Sequence, residues 1–192
     1  MSKATKSTDL VYQLKITLRG IRPPIWRRVL VLGKFNLFRL HEVIQIAMGW
    51  TDSHLHQFII DGELYGVPDL DDWEPVRDER RYSLIKIAPQ EKRKFSYEYD
   101  FGDSWEHDIL VEKILAPEPR VAYPVCIKGK RACPPEDVGG IWGYEEFLEA
   151  IRDPQHEEHD SFLEWLGEAF DPERCDLKEI NEGLREVNRT RR

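Results

Sequence analysis

From Leu10 to Leu18 the chain alternates: Leu10, Tyr12, Leu14, Ile16 and Leu18 are apolar, and the residues between them are mainly polar. That period of two belongs to a β-strand with one face buried and one in water, so the chain must build a sheet. Gly20 to Pro24 breaks the run, and Ile25 to Leu32 (IWRRVLVL) is β-branched and apolar enough to be the returning strand of a hairpin, with Pro23 and Pro24 at its entry. The period then changes. Leu37, Leu40, Val43, Ile44, Ala47 and Met48 are spaced by three and four between Asn36 as N-cap and Gly49 as C-cap, which predicts an amphipathic helix packed on the hairpin.

Further strands follow. Leu55 to Ile60, the Asp61-Gly62 turn signal and Glu63 to Tyr65 suggest a short second hairpin. Residues 66–79, acidic and carrying two prolines, read as a surface loop. Phe95 to Asp100 and Ile109 to Leu115 flank the turn FGDSW as a third strand pair, and one more strand is expected near Val121 to Ile127 inside the Pro- and Gly-rich stretch from Pro117 to Gly143. The rest is helical in period: Tyr144 to Arg152, Ser161 to Glu168 and Leu177 to Val187. Strands first and helices last predict an α+β fold with a mixed, mainly antiparallel sheet, one helix after the first hairpin and a helical C-terminal region. The opening strand–strand–helix–strand order also suits a β-grasp-like start. No linker-like gap interrupts the pattern, so residues 10–188 are expected to form a single domain between a disordered tail over 1–9 and a short tail over 189–192.

Charge narrows the function classes. The net charge is -8 over 192 residues, which argues against general nucleic-acid binding, since phosphate neutralisation needs a basic surface. The charge is uneven, however: residues 1–50 hold nine basic side chains against two acidic ones, leaving -15 on the remainder. The expected use of that asymmetry is internal, the basic hairpin facing the acidic stretch from Asp61 to Glu79; the alternative is an anionic partner gripped by Arg22, Arg27 and Arg28. No apolar run approaches the roughly 20 residues that span a bilayer, and MSKATKSTDL lacks the apolar core of a signal peptide. A cytoplasmic location and no membrane contact are therefore expected. Three cysteines, Cys126, Cys133 and Cys175, fit reduced thiols better than a disulfide framework.

Several segments carry a family signature. YDFGDSWEH (Tyr99 to His107), the run from Cys126 through Cys133-Pro-Pro-Glu-Asp-Val-Gly-Gly140 with Gly143-Tyr144, DPQHEEHDSFLEWLG (Asp153 to Gly167) and FDPERCDLKEIN (Phe170 to Asn181) together resemble the plasmid pRiA4b ORF-3-like family. The resemblance extends from about Val11 to Val187. It implies an α+β fold of unassigned biochemistry, in a family whose members are often labelled passengers of insertion elements or resolvase-like, hence an association with plasmids and mobile elements. A serine recombinase would need a nucleophilic serine among arginines and a basic DNA-binding tail; the C-terminal half here is acidic apart from Arg189, Arg191 and Arg192. The family pattern frequently has cysteine at position 138, where this chain has Val138.

Three functional readings follow. The leading one is a non-enzymatic binding module with a protein partner rather than nucleic acid, presenting Asp100, Asp103, Trp105, His107, Glu136 and Asp137 from the FGDSWEH and ACPPEDVGG loops. The second is a zinc-dependent hydrolase using His107, Cys126, Cys133 and Asp103, donor types that suit zinc although six residues separate the cysteines and no second pair exists. The third is a nucleic-acid-associated protein using Arg22, Arg27 and Arg28. No cofactor is expected under the leading reading. Two histidine pairs offer further ligands: His54 and His56 alternate on a strand and should face the same side. His156 and His159 in HEEHD are one residue short of the H-E-x-x-H spacing, and read as a helix N-terminus with Glu157, Glu158 and Asp160 at the positive end of its dipole.

Overall fold

A computed structural model describes residues 10–69, 75–167 and 169–187. The opening alternation becomes β1 (Val11–Leu18), paired antiparallel with β2 (Trp26–Leu32), and both are bordered by later strands. The remaining elements are α1 (Leu37–Met48), β3 (His56–Ile60), β4 (Glu63–Gly66), β5 (Val76–Asp78), α2 (Leu84–Ile87), β6 (Lys94–Tyr99), β7 (Trp105–Leu115), β8 (Val125–Lys130), α3 (Gly140–Arg152), α4 (His159–Leu166) and α5 (Leu177–Glu186). The eight strands form one sheet in the order β5-β4-β3-β6-β7-β1-β2-β8, antiparallel throughout except for the parallel β4–β5 pair. The strand–strand–helix–strand opening is present, with β3 joining the sheet beside β6 and three places from β1. This is the expected α+β class.

Register follows from burial. Tyr12, Leu14, Ile16 and Leu18 are 0–2% exposed, and opposite them on the same face stand Val31 and Val29 of β2 and Ile109 and Val111 of β7. Slipping β1 by one residue would turn that whole set to water, at a cost of about 1.5–3 kcal/mol for each large side chain. Helix α1 is closed as expected: Asn36 Oδ1 accepts from Arg39 N, and Gly49 adopts the left-handed conformation at the other end. Its buried stripe lies on the sheet, and α5 packs beside it where Gly183 leaves room, since a Cβ there would sit 2.8 Å from Ile46 Cγ2.

Three expectations need correcting. Strand β7 begins at Trp105, so the turn is Asp100–Ser104 alone and Trp105 and His107 are strand residues. Within the supposed acidic loop, Val76–Asp78 pairs with β4 and the following 3-10 turn, Glu79–Arg81, buries Glu79 completely. The basic hairpin does not face that stretch: Arg28 pairs with Glu112 at 2.6 Å, and Arg19 with Glu106 at 2.6 Å and Asp108 at 2.5 Å, all on β7. Helix α4 starts at His159 with Asp160 in its first turn, the dipole placement anticipated for HEEHD. The expected tails over 1–9 and 189–192 lie outside the described residues.

Candidate functional site

Three loops meet beyond the ends of α1, β6 and β8: residues 49–55, the turn at 100–104 and residues 131–139. Each is tied to the next. Asp100 N donates to Leu55 O at 2.9 Å, Trp50 Nε1 donates to Pro134 O at 3.0 Å, and Gly139 N donates to Asp103 Oδ2 at 3.1 Å. The last contact is close because Gly140, at φ +69°, has no Cβ; one would lie 2.8 Å from Asp103 O.

The junction gathers carboxylates around one imidazole. His54 Nε2 is 3.1 Å from Asp137 Oδ1 and 3.6 Å from both Asp100 Oδ2 and Glu136 Oε2, aligned for a hydrogen bond with none of them. Glu136 is fixed: its Oε1 accepts from Thr51 N at 2.7 Å, Thr51 Oγ1 at 3.1 Å and Tyr99 OH at 3.1 Å. Tyr99 in turn accepts from Ser53 N, and burial pushes its pKa up to about 12, so it serves as a donor. Asp100 Oδ1 is occupied by Gly102 N at 3.0 Å, which leaves Oδ2 facing His54. Asp100 and Asp137 both sit at φ 57°, a conformation few non-glycine residues hold without local support. Among the described residues no lysine or arginine is ion-paired with Asp100, Glu136 or Asp137. Like charges held this close favour a cation between them.

Apolar side chains flank the charge. Leu55 is 69% exposed, Phe101 49% and Trp142 81%; the first two lie on the junction loops and the third on the first turn of α3. Trp142 also lines a groove of about 490 Å³ with Arg19, Asp103, Ser104 and Glu106. The carboxylates can take a cationic head group, and Leu55 and Phe101 stand next in sequence to His54 and Asp100 of the cluster.

The anticipated residues divide. Asp100, Glu136 and Asp137 come together around His54, and Asp103 acts as a latch between loops. Trp105 and His107 do not belong to the surface: they are 1% and 0% exposed, beneath Trp50, whose ring meets the imidazole edge-on at 5.3 Å. Neither nitrogen of His107 makes a well-formed hydrogen bond, the backbone of Trp105 and Tyr97 offering only a weak hold, and burial pushes its pKa down to about 4.

The zinc set is not brought together. His107 on β7 and Cys126 on β8 are separated by β1 and β2, about 14 Å at ~4.8 Å per strand spacing, whereas one zinc needs all its donors at about 2.0–2.3 Å. Cys126 is a buried strand residue, and Cys133 packs at 3.5 Å from both Met48 Sδ and Arg27 Nη2. Burial pushes both thiols up to about 11. They line or adjoin the space between α1, β8 and α5, where a cavity of about 530 Å³ is bounded by Arg27, Met48, Cys133, Phe170 and Cys175.

The basic candidates are also reassigned. Arg27 is 3% exposed and spends its donors on Ala47 O, Trp26 O, Lys130 O and the Cys133 thiol. Arg28 is engaged by Glu112, and Arg22 alone of the three is exposed. His54 and His56 do not alternate on one strand, since β3 begins at His56 and His54 lies in the loop before it; they serve different clusters, His56 turning to Glu79 and to the ring of His41. Thr51, Tyr99 and the exposed Leu55, Phe101 and Trp142 carried no signal as site residues in the sequence. An exposed Trp two positions into a helix looks the same there as a buried one.

A family model described as plasmid pRiA4b ORF-3-like protein matches residues 10–179, a span that contains all three loops. The uncharacterized protein y4hQ of Sinorhizobium fredii (strain NBRC 101917 / NGR234) is 43% identical over 176 residues, which is 91% of this chain and 90% of that protein. The crystal structure of a protein of unknown function, MM3350 from Methanosarcina mazei Go1, superimposes with a TM-score of 0.80 at 41% identity, covering 88% of this chain and 97% of that one.

Proposed function

This chain belongs to the plasmid pRiA4b ORF-3-like protein family, and from that premise we propose that it is a non-enzymatic intracellular binding module whose three-loop junction captures a basic, partly apolar segment of a protein partner. The observation that carries the reading is the convergence of Asp100, Glu136 and Asp137 on one spot with no lysine or arginine among the described residues ion-paired to them. An incoming lysine or arginine supplies that charge, and Trp142, Phe101 and Leu55 supply the aromatic and aliphatic contact typical of protein interface anchors. Nucleic acid is disfavoured at the same surface by charge alone. A display selection of random peptides on the full chain tests this. Enrichment of sequences joining arginine or lysine to apolar residues, lost on the Glu136→Gln/Asp137→Asn double variant, is the expected result; enrichment of acidic sequences, or of the same sequences on both proteins, contradicts it.

A further inference from the structure

A second cluster lies along the same face of the sheet, one strand step from the first. His41 on the buried side of α1 and His56 at the start of β3 stack ring on ring, with centroids 3.4 Å apart and planes 5° from parallel. Each imidazole meets a carboxylate through Nε2: His41 reaches Asp52 Oδ1 at 2.8 Å, and His56 reaches Glu79 Oε2 at 2.9 Å. Donor atoms of His41, Asp52 and His56 all fall within 4.8 Å of one another. Glu79 joins from the 3-10 turn, bonded to His56 and close enough to act on the charge of His41.

The Glu79 carboxylate is the unexplained feature. It is 0% exposed, its Oε1 has no hydrogen-bond partner, and among the described residues its ion pairing is with His56 alone. A polar oxygen shut away from water costs free energy unless something pairs with it, and His56 engages only Oε2 of this carboxyl, leaving Oε1 open. We propose that His41, Asp52, His56 and Glu79 form a binding site for a divalent first-row transition metal, with zinc as the fitting case. His41, Asp52 and His56 are the donors within mutual reach, and Glu79, bonded to His56, stands beside them as the fourth; imidazole and carboxylate are donors that zinc accepts in four-coordinate sites.

The surroundings suit this role. Burial, with the neighbouring His56 as a lesser cause, pushes the pKa of His41 down to about 4, so its ring is neutral and free to ligate near neutral pH. Its Nδ1 lies 2.8 Å from Tyr97 OH, which also receives Gln45 Nε2 at 3.0 Å. A proton held on Nδ1 by that hydroxyl turns the Nε2 lone pair toward the ion, the orienting contact that metal-bound histidines commonly have. The four residues come from α1, the loop after it, β3 and the 3-10 turn, so the ion would add one common anchor to elements already linked in pairs by the His41–Asp52 and His56–Glu79 contacts.

The test uses the full chain purified without a histidine tag and stripped with a chelator. Zinc chloride alone is titrated calorimetrically, cobalt(II) is followed by its visible absorption, and thermal melting is recorded with and without metal. Expected are one equivalent of zinc at this cluster, cobalt bands of a four-coordinate site, and a melting temperature raised by about 5–10 °C at ~100-fold excess over Kd. Glu79→Gln and Asp52→Asn should each weaken zinc at least about 10-fold, while His54→Gln in the neighbouring junction leaves this equivalent in place. Should Glu79→Gln fail to fold, Asp52→Asn still decides, because the Asp52 side chain is 56% exposed and its loss cannot collapse the core. No zinc binding by the parent protein, unchanged affinity in Asp52→Asn, or a loss that follows His54→Gln instead would overturn the proposal.

Discussion

His107 and His41 are the imidazoles that burial holds unprotonated down to about pH 4. In the unfolded chain each takes a proton below about 6.5. Between those values the unfolded state binds more protons than the folded one, so stability falls as pH drops from about 6.5 towards 4. For His107, fully enclosed, the effect is on the order of 3 kcal/mol. Thermal melts between about pH 7 and 4.5 should therefore show a declining midpoint, with a shallower slope in His107→Phe; an unchanged slope would mean that the imidazole is not held neutral. The thiols give a second test at this scale. Cys126 and Cys133, pushed up to about 11, should resist a thiol-specific reagent near neutral pH in the native protein, while the half-buried Cys175 reacts and all three react once unfolded. Fast native labelling of more than one thiol would contradict the burial described here. Donor type alone, not spacing, points to zinc in the sequence, and whether two cysteines on different elements meet a histidine is a matter of strand order, which the residues themselves do not encode.

Among the elements, the long periodic ones were legible and the short ones were not. β1 and α1 carry five or more apolar positions at a fixed period and appear as read, caps included. β5 has three residues, too few for any period, and its neighbour Glu79 was read as loop because its burial depends on His56 arriving from another strand. The start of β7 carries its own signal, Trp105, His107, Ile109 and Val111 alternating with Glu106 and Asp108, next to the competing turn signal of Gly102-Asp103-Ser104. The candidate site shows the same division. Its acids were found from their loops, and their closure on His54 depends on how those loops dock. That docking requires close approach, since a Cβ on Gly143 would stand 2.0 Å from Val138 O. Gly143→Ala should cost about 2 kcal/mol or more in chemical denaturation. A variant as stable as the parent would show that the 131–139 loop can shift without penalty.

At the scale of the molecule, one sheet of eight strands and one buried cluster running from Tyr12 to Val187 link the first hairpin to the last helix. Unfolding from about Val11 to Val187 should accordingly appear as one cooperative transition by circular dichroism and by tryptophan fluorescence, and two resolved transitions would contradict this. Of the basic residues in the first 50, Arg19 and Arg28 are spent inside that frame on β7 acids and Arg27 on backbone carbonyls, and the acidic junction is a distinctive charged surface. The central claim is that this junction recognises a basic partner segment. It is tested most directly by titrating the full chain with the best-enriched basic peptide at low and physiological salt, comparing the parent with Glu136→Gln/Asp137→Asn. The account predicts affinity at least about 10-fold weaker in the variant, with most of the salt dependence gone and the melting temperature unchanged; equal affinity and equal salt dependence in the two proteins would contradict it.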